Sequence, residues 1–180
     1  MQKLYSRKLI VLYGALVYLF ARWFDAIEVI YLKRSCLSNP DTNYPIDSHV
    51  WIKRCFFDAG YVRKEALDCY DVPGYFRSFF PLDMAFPIVY SLLMLSILDL
   101  WEKTWGKKVL VLSIIVAALT DYLEDFCFAI FLKTNANIFA WLTAFFTTVK
   151  TCLLVINGIC CILILLRWMI RSVAGVIKRD

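Results

Sequence analysis

Three carboxylates fall within five residues, in the segment Asp121-Tyr122-Leu123-Glu124-Asp125, and they interrupt an otherwise apolar stretch from Val109 to Leu132. On a helix, spacings of three and four put all three within a ~100° arc, where they can face one ligand. Carboxylates grouped in this way serve as general acid and base or hold a cation, and a neighbouring lysine or arginine sets which of them keeps its proton. Lys150 and Arg22 are cations in comparably apolar surroundings. A charge at bilayer depth costs about 2.5 to 3.5 kcal/mol on insertion scales, so such residues point to a partner or a task.

The elements that must position these groups are long and apolar. The chain has 180 residues, of which 61% are hydrophobic and 17% aromatic, with a mean hydropathy of +0.65. A soluble domain sits nearer ~45 to 50% apolar. The pattern predicts an all-α polytopic membrane protein, a single membrane domain over residues 1 to 180 built as a four-transmembrane-helix antiparallel bundle. The expected spans run over about 9 to 32, 83 to 100, 109 to 132 and 138 to 170, and each exceeds or approaches the ~20 residues that a bilayer requires. Lys3, Arg7 and Lys8 precede the first apolar core as in a signal peptide. Arg22, Asp25 and Glu28 stand where a small-residue cleavage site would follow, so the helix is expected to be retained.

The short linkers WEKTWGKK and KTNAN force neighbouring helices to run antiparallel. Four spans put both termini on one side. The N-terminus, the 101 to 108 turn and the tail carry ten Lys and Arg residues, against eight in the other two loops, and the ten are denser. Both termini are therefore expected in the cytoplasm. Residues 33 to 80 form the extracytoplasmic segment, with aromatics interleaved with charges as in short helices lying at a membrane surface. A small cap over the bundle fits the same composition.

Depth along the helices groups the buried charges. At ~1.5 Å per residue, Arg22 and Asp121 lie level. The residue level with Lys150 is near 119, Asp83 stands opposite Asp125, and Glu124 is near Ala85. Faces agree: Asp121, Glu124 and Asp125 continue a stripe with Ser113 and Ala117. Thr143, Thr147, Lys150 and Asn157 share one face, as do Tyr18, Arg22 and Asp25, and likewise Asp83 and Tyr90. Asp121, Glu124 and Lys150 are the candidate catalytic residues. Arg22, Asp25, Asp83, Tyr90 and Asp125 are the candidate ligand-binding residues, in a site open toward the outer leaflet. With Glu28 included, six acids face two bases, an excess that low dielectric supports only with protonation or a bound cation. Alternatively, Asp121 with Lys150 and Arg22 with Asp25 are ion pairs that fix helix register.

The motif Leu82-Asp83-Met84-Ala85-Phe86-Pro87-Ile88-Val89-Tyr90, followed by Asp121-Tyr122-Leu123-Glu124-Asp125 and then Lys150, resembles a group of largely uncharacterised small bacterial membrane proteins. Those proteins share L-D-x-x-F-P-x-x-Y at the start of one helix and D-x-x-E-N in the next. The likeness covers residues 60 to 165 and departs at Asp125, where the group usually has Asn. It implies a four-helix integral membrane protein, in a bacterial inner membrane, and no particular activity.

Other chemistry finds little support. Of seven cysteines, none forms C-x-x-C; Cys36, Cys55 and Cys69 share the outer segment, where one disulfide is plausible on an oxidising side. Dimetal bundles add histidines to their carboxylates, and His49 lies in the outer loop; an oxygen-only Mg²⁺ or Ca²⁺ site stays an alternative, against which Lys150 and Arg22 compete for the same oxygens, so no metal and no cofactor is expected. Pro87 reads as a helix-start proline and Asp83 as a possible N-cap. No phosphate-cradling glycine loop or nucleic-acid motif is present. Three functions remain: binding or transforming a lipid-like or small amphiphilic ligand, binding or moving a proton or cation, or serving as an accessory subunit. The expected partners are membrane lipid and proteins of a membrane complex, not nucleic acid.

Overall fold

The computed structural model describes residues 2–31, 60, 72–101 and 104–177. Most of the segment expected outside the membrane, with His49, Cys36, Cys55 and Cys69, lies outside the described residues. Those described are helical, with no strand: α1 (Gln2–Tyr31), a short α2 (Val72–Gly74), a π-helical segment (Tyr75–Phe79), α3 (Phe80–Leu98), α4 (Thr104–Thr134) and α5 (Asn137–Ile177). Two of them, Phe80–Leu98 and the Asn137–Ser172 part of α5, are long and apolar enough to cross a membrane.

The turns follow from local chemistry. Between α4 and α5, Asn135 adopts φ 53°, a left-handed conformation that asparagine tolerates better than most residues. Its N–H donates to the Phe131 carbonyl at 2.8 Å, and the Thr134 hydroxyl donates to the Ile130 carbonyl at 2.8 Å, so the last turn of α4 is capped. Between α3 and α4, Lys107 pairs with Asp99 at 2.6 Å on the exposed side. The Trp101 ring closes over Gly106, where an added Cβ would come within 2.8 Å of the indole.

Packing runs in sequence order. The α4–α5 hairpin is the most extensive pair, α3 lies against both of its helices, and α1 packs on α3 and on the π-helical segment. Phe20 and Phe24 of α1 close on Phe86 of α3 at 6.0 and 5.4 Å between ring centres.

The faces of α4 and α5 are the reverse of a soluble helix. On α4, the large apolar residues Val109, Leu112, Val116, Leu119, Leu123, Phe126 and Ile130 are exposed, while Asp121, Glu124 and Asp125 are buried. On α5, Ile138, Trp141, Phe145, Val155 and Ile159 face outward, while Thr143, Thr147, Lys150 and Asn157 face inward. Water would favour the opposite arrangement, because it leaves apolar surface exposed and removes charge from solvent. From Val109 to Ile130 the exposed apolar stripe rises ~32 Å, close to the ~30 Å of a bilayer's hydrocarbon core.

Candidate functional site

The buried centre is assembled by α3, α4 and α5. Lys150 Nζ, on α5, donates to Asp121 Oδ1 at 2.6 Å and also contacts Glu124 Oε2. From α3, the Tyr90 hydroxyl donates to Asp121 Oδ2 at 3.0 Å. Asp121, Glu124, Asp125 and Lys150 are 3%, 4%, 4% and 7% exposed, so these contacts are shielded from bulk solvent. The carboxyl of Asp83, half-buried on α3, lies within hydrogen-bonding reach of that of Asp125. Asp125 Oδ2 meets no hydrogen-bond donor among the described residues.

Neighbouring hydroxyls do not make up the difference. Thr143, Thr147 and Thr151 donate to carbonyls one turn back on α5, and Thr120 does the same on α4. Back-bonding of this kind lets a hydroxyl be buried without a partner on another helix. Among the described residues, Lys150 and Tyr90 donate from their side chains to the acids of this centre. One level toward the start of α4, Asn157 Nδ2 donates to Ser113 Oγ at 3.0 Å and forms a second, neutral link between α4 and α5.

An aromatic plug lies beyond the acids. Tyr75 and Phe131, both fully buried, and Phe128 pack with Ala140 and Ala144, with Phe76, Phe80 and Phe139 around them. Tyr75 meets Phe128 edge-on at 5.4 Å. The backbone that delivers Tyr75 is π-helical and continues without a break into α3. This corrects two expectations. Residues 72 to 80 are helix packed into the protein rather than part of a surface segment, because their aromatic side chains gain burial against α4 and α5. Asp83 is therefore inside the helix rather than at its cap, and Pro87 is an interior proline, fully buried.

Of the residues singled out from sequence, the structure brings together Asp83, Tyr90, Asp121, Glu124, Asp125 and Lys150. Arg22 is exposed on α1, and the side chains of Asp25 and Glu28 lie outside those described. Among the described residues, no group of three or more His, Cys, Asp or Glu side chains is placed to hold a metal ion. The Tyr90–Asp121 bond, the Ser113–Asn157 bond and the aromatic plug were not anticipated as contacts. The shared face of Asp83 and Tyr90 and the run Tyr75-Phe76-Arg77-Ser78-Phe79-Phe80 were the available signals.

No family model matches the chain, and no match is found among curated proteins or solved structures.

Proposed function

We propose that this chain is an integral membrane protein with four spans and both termini in the cytoplasm, and that its buried centre binds a positively charged ligand. The observation that carries the reading is the charge balance. Four carboxyls, on Asp83, Asp121, Glu124 and Asp125, are gathered around one lysine, and that lysine is taken up by Asp121 and Glu124. Among the described residues, a lipid phosphate or fatty-acid carboxylate would meet a centre already rich in negative charge, whose lysine is held by Asp121 and Glu124. The ligand class therefore narrows from lipid-like molecules in general to cations, from a small ion to an amphiphile with a protonated amine. The inverted faces of α4 and α5 support the membrane setting.

Thermal unfolding of purified protein in detergent tests the reading, because a ligand that binds only the folded state raises its midpoint. A cationic series, from alkali chlorides to dodecylammonium, is expected to stabilise at constant ionic strength, and dodecyl phosphate is not. Asp83→Asn is expected to remove the response. Stabilisation by the anionic amphiphile, or by none of the series, contradicts it. A second reading, a structural subunit whose charges fix helix register, draws on the Lys150–Asp121 pair, and the double-variant measurement in the Discussion tests it.

A further inference from the structure

Cross-helix contacts fix the levels of residues along the bundle. Lys150 meets Asp121 and Asn157 meets Ser113, so α4 and α5 run antiparallel with one constant offset. That offset brings Arg167 of α5 level with Thr104, the first residue of α4. Phe20 and Phe24 of α1 close on Phe86 of α3, and Tyr90 of α3 bonds to Asp121 of α4. Counted from these contacts, Lys8 lies within about a turn of Lys108. Arg171 follows Arg167 by one turn, and α5 continues to Ile177.

This level is where the apolar surface of α4 stops. The exposed stripe ends at Val109, and the exposed Lys108 comes immediately before it. Thr104 is ~7.5 Å beyond Val109 along the helix, close to the ~5 to 8 Å of headgroup layer outside a hydrocarbon core. Lys8, Arg167 and Arg171 are exposed as well. The Trp101 ring, lying over Gly106, and Trp168 stand at the same level, as tryptophans do at a membrane–water boundary.

Charge is concentrated at this end of the protein. Residues 1–8, 99–108 and 163–180 hold ten Lys and Arg against three acids, whereas residues 33–80 and 133–136 hold eight against six. Among the described residues at this end, Asp99 is the one acid, and Lys107 pairs with it. The cations are therefore in excess. Leu163, Leu166, Met169 and Ile170 are exposed between and beside the arginines. A phospholipid matches that mixture better than a soluble acidic protein does, because it offers a phosphate and acyl chains at adjoining depths while Lys and Arg stems lie along the apolar surface.

We propose that Lys8, Lys108, Arg167 and Arg171 form a collar that binds the anionic headgroups of phospholipids in the leaflet at this end. The collar is a second site, since Arg167 is ~25 Å along α5 from Lys150. It rests on the membrane setting proposed above and not on the ligand of the buried centre.

Electron spin resonance of the full chain in phosphatidylcholine vesicles tests it, with phosphatidylglycerol or phosphatidylcholine labelled by a nitroxide near the end of one acyl chain. Lipid held at the protein surface gives a motionally restricted spectrum that is counted against the fluid one. At about 0.1 M NaCl, phosphatidylglycerol is expected to associate at least about threefold more strongly than phosphatidylcholine, since one basic residue at an anionic surface is worth about fivefold. About 1 M NaCl is expected to bring the two toward parity. Lys108→Gln/Arg167→Gln/Arg171→Gln is expected to lose the selectivity with the number of restricted lipids per protein unchanged, and Lys133→Gln, at the other end of α4, to keep it. If the triple variant does not reconstitute, the salt dependence of the wild type carries the test. Equal association of the two lipids with the wild type overturns the collar, as does a selectivity that survives in the triple variant or in high salt. A restricted spectrum with either lipid keeps the membrane setting in those cases; no restricted lipid of either kind means that the setting falls together with the collar. Dodecyl phosphate is also a ligand for the collar, so the comparison of cationic and anionic amphiphiles at the buried centre is read on the triple variant.

Discussion

Lys150 Nζ donates to Asp121 Oδ1 at 2.6 Å across 29 residues of sequence, with both side chains buried, and so ties α5 to α4 at the centre of the protein. Glu124, one turn further along α4, shares the same ammonium. Removing the lysine strands two buried carboxylates, whereas removing Asp121 leaves Glu124 to hold the ammonium, so the penalty for breaking the cluster is largest at Lys150.

Lys150→Met is accordingly expected to destabilise the protein by about 3 to 5 kcal/mol, the cost of stranding buried charge. Asp121→Asn is expected to destabilise less, because Glu124 still holds the ammonium. The double variant should recover at least ~0.5 kcal/mol relative to the sum of the two singles, the signature of groups in direct contact. Unfolding free energies in detergent for the four proteins measure this, and strictly additive losses would show that the two side chains do not meet.

Tyr90→Phe keeps the ring and its edge contact with Phe86 at 5.4 Å but removes the donor to Asp121 Oδ2. The expected loss is about 1 to 3 kcal/mol, in the range for a buried acceptor deprived of its hydrogen bond. The same assay reads it, and a neutral substitution would mean that the hydroxyl is turned elsewhere.

The Ser113–Asn157 bond is neutral and between helices. Bonds of this type in membrane proteins average ~0.6 kcal/mol and reach ~1.7. Ser113→Ala is expected to fall within those bounds, well below Lys150→Met. A loss as large as that of the lysine variant would give this level of the bundle a larger role than one hydrogen bond.

Asn135 is the one non-glycine residue with positive φ among those described. Asn135→Gly is expected to be neutral or slightly stabilising, and Asn135→Val to cost about 1 to 2 kcal/mol, because a β-branched side chain resists the left-handed conformation. Equal midpoints for the two variants would contradict the turn geometry between α4 and α5.

The centre was legible where helix periodicity and short turns constrain it. Asp121, Glu124 and Asp125 share a face by spacing alone. The KTNAN turn fixes the antiparallel offset closely enough to place Lys150 beside Asp121, and the turn before α4 does the same for Asp83 and Asp125. Arg22 was harder, because the long connection after α1 leaves its neighbour undetermined; depth set its level but not its direction, and it is exposed on a helix that packs against α3. Residues 72 to 80 were misread for a different reason. Their aromatic and charged mixture suits a membrane surface as well as a buried plug, and a π-helical turn has no period that a sequence pattern reveals.

The inverted faces of α4, charge inside and large apolar side chains outside, are the foundation of this account. A nitroxide scan of residues 109 to 130, one label at a time in lipid bilayers, measures collision with oxygen and with a water-soluble nickel chelate. The account predicts oxygen maxima at Leu112, Val116, Leu119, Leu123 and Phe126, with neither reagent reaching position 117 or 121. Strong collision of the nickel chelate with labels at 119 and 123 would put that face in water and contradict a membrane protein built around a buried charged centre.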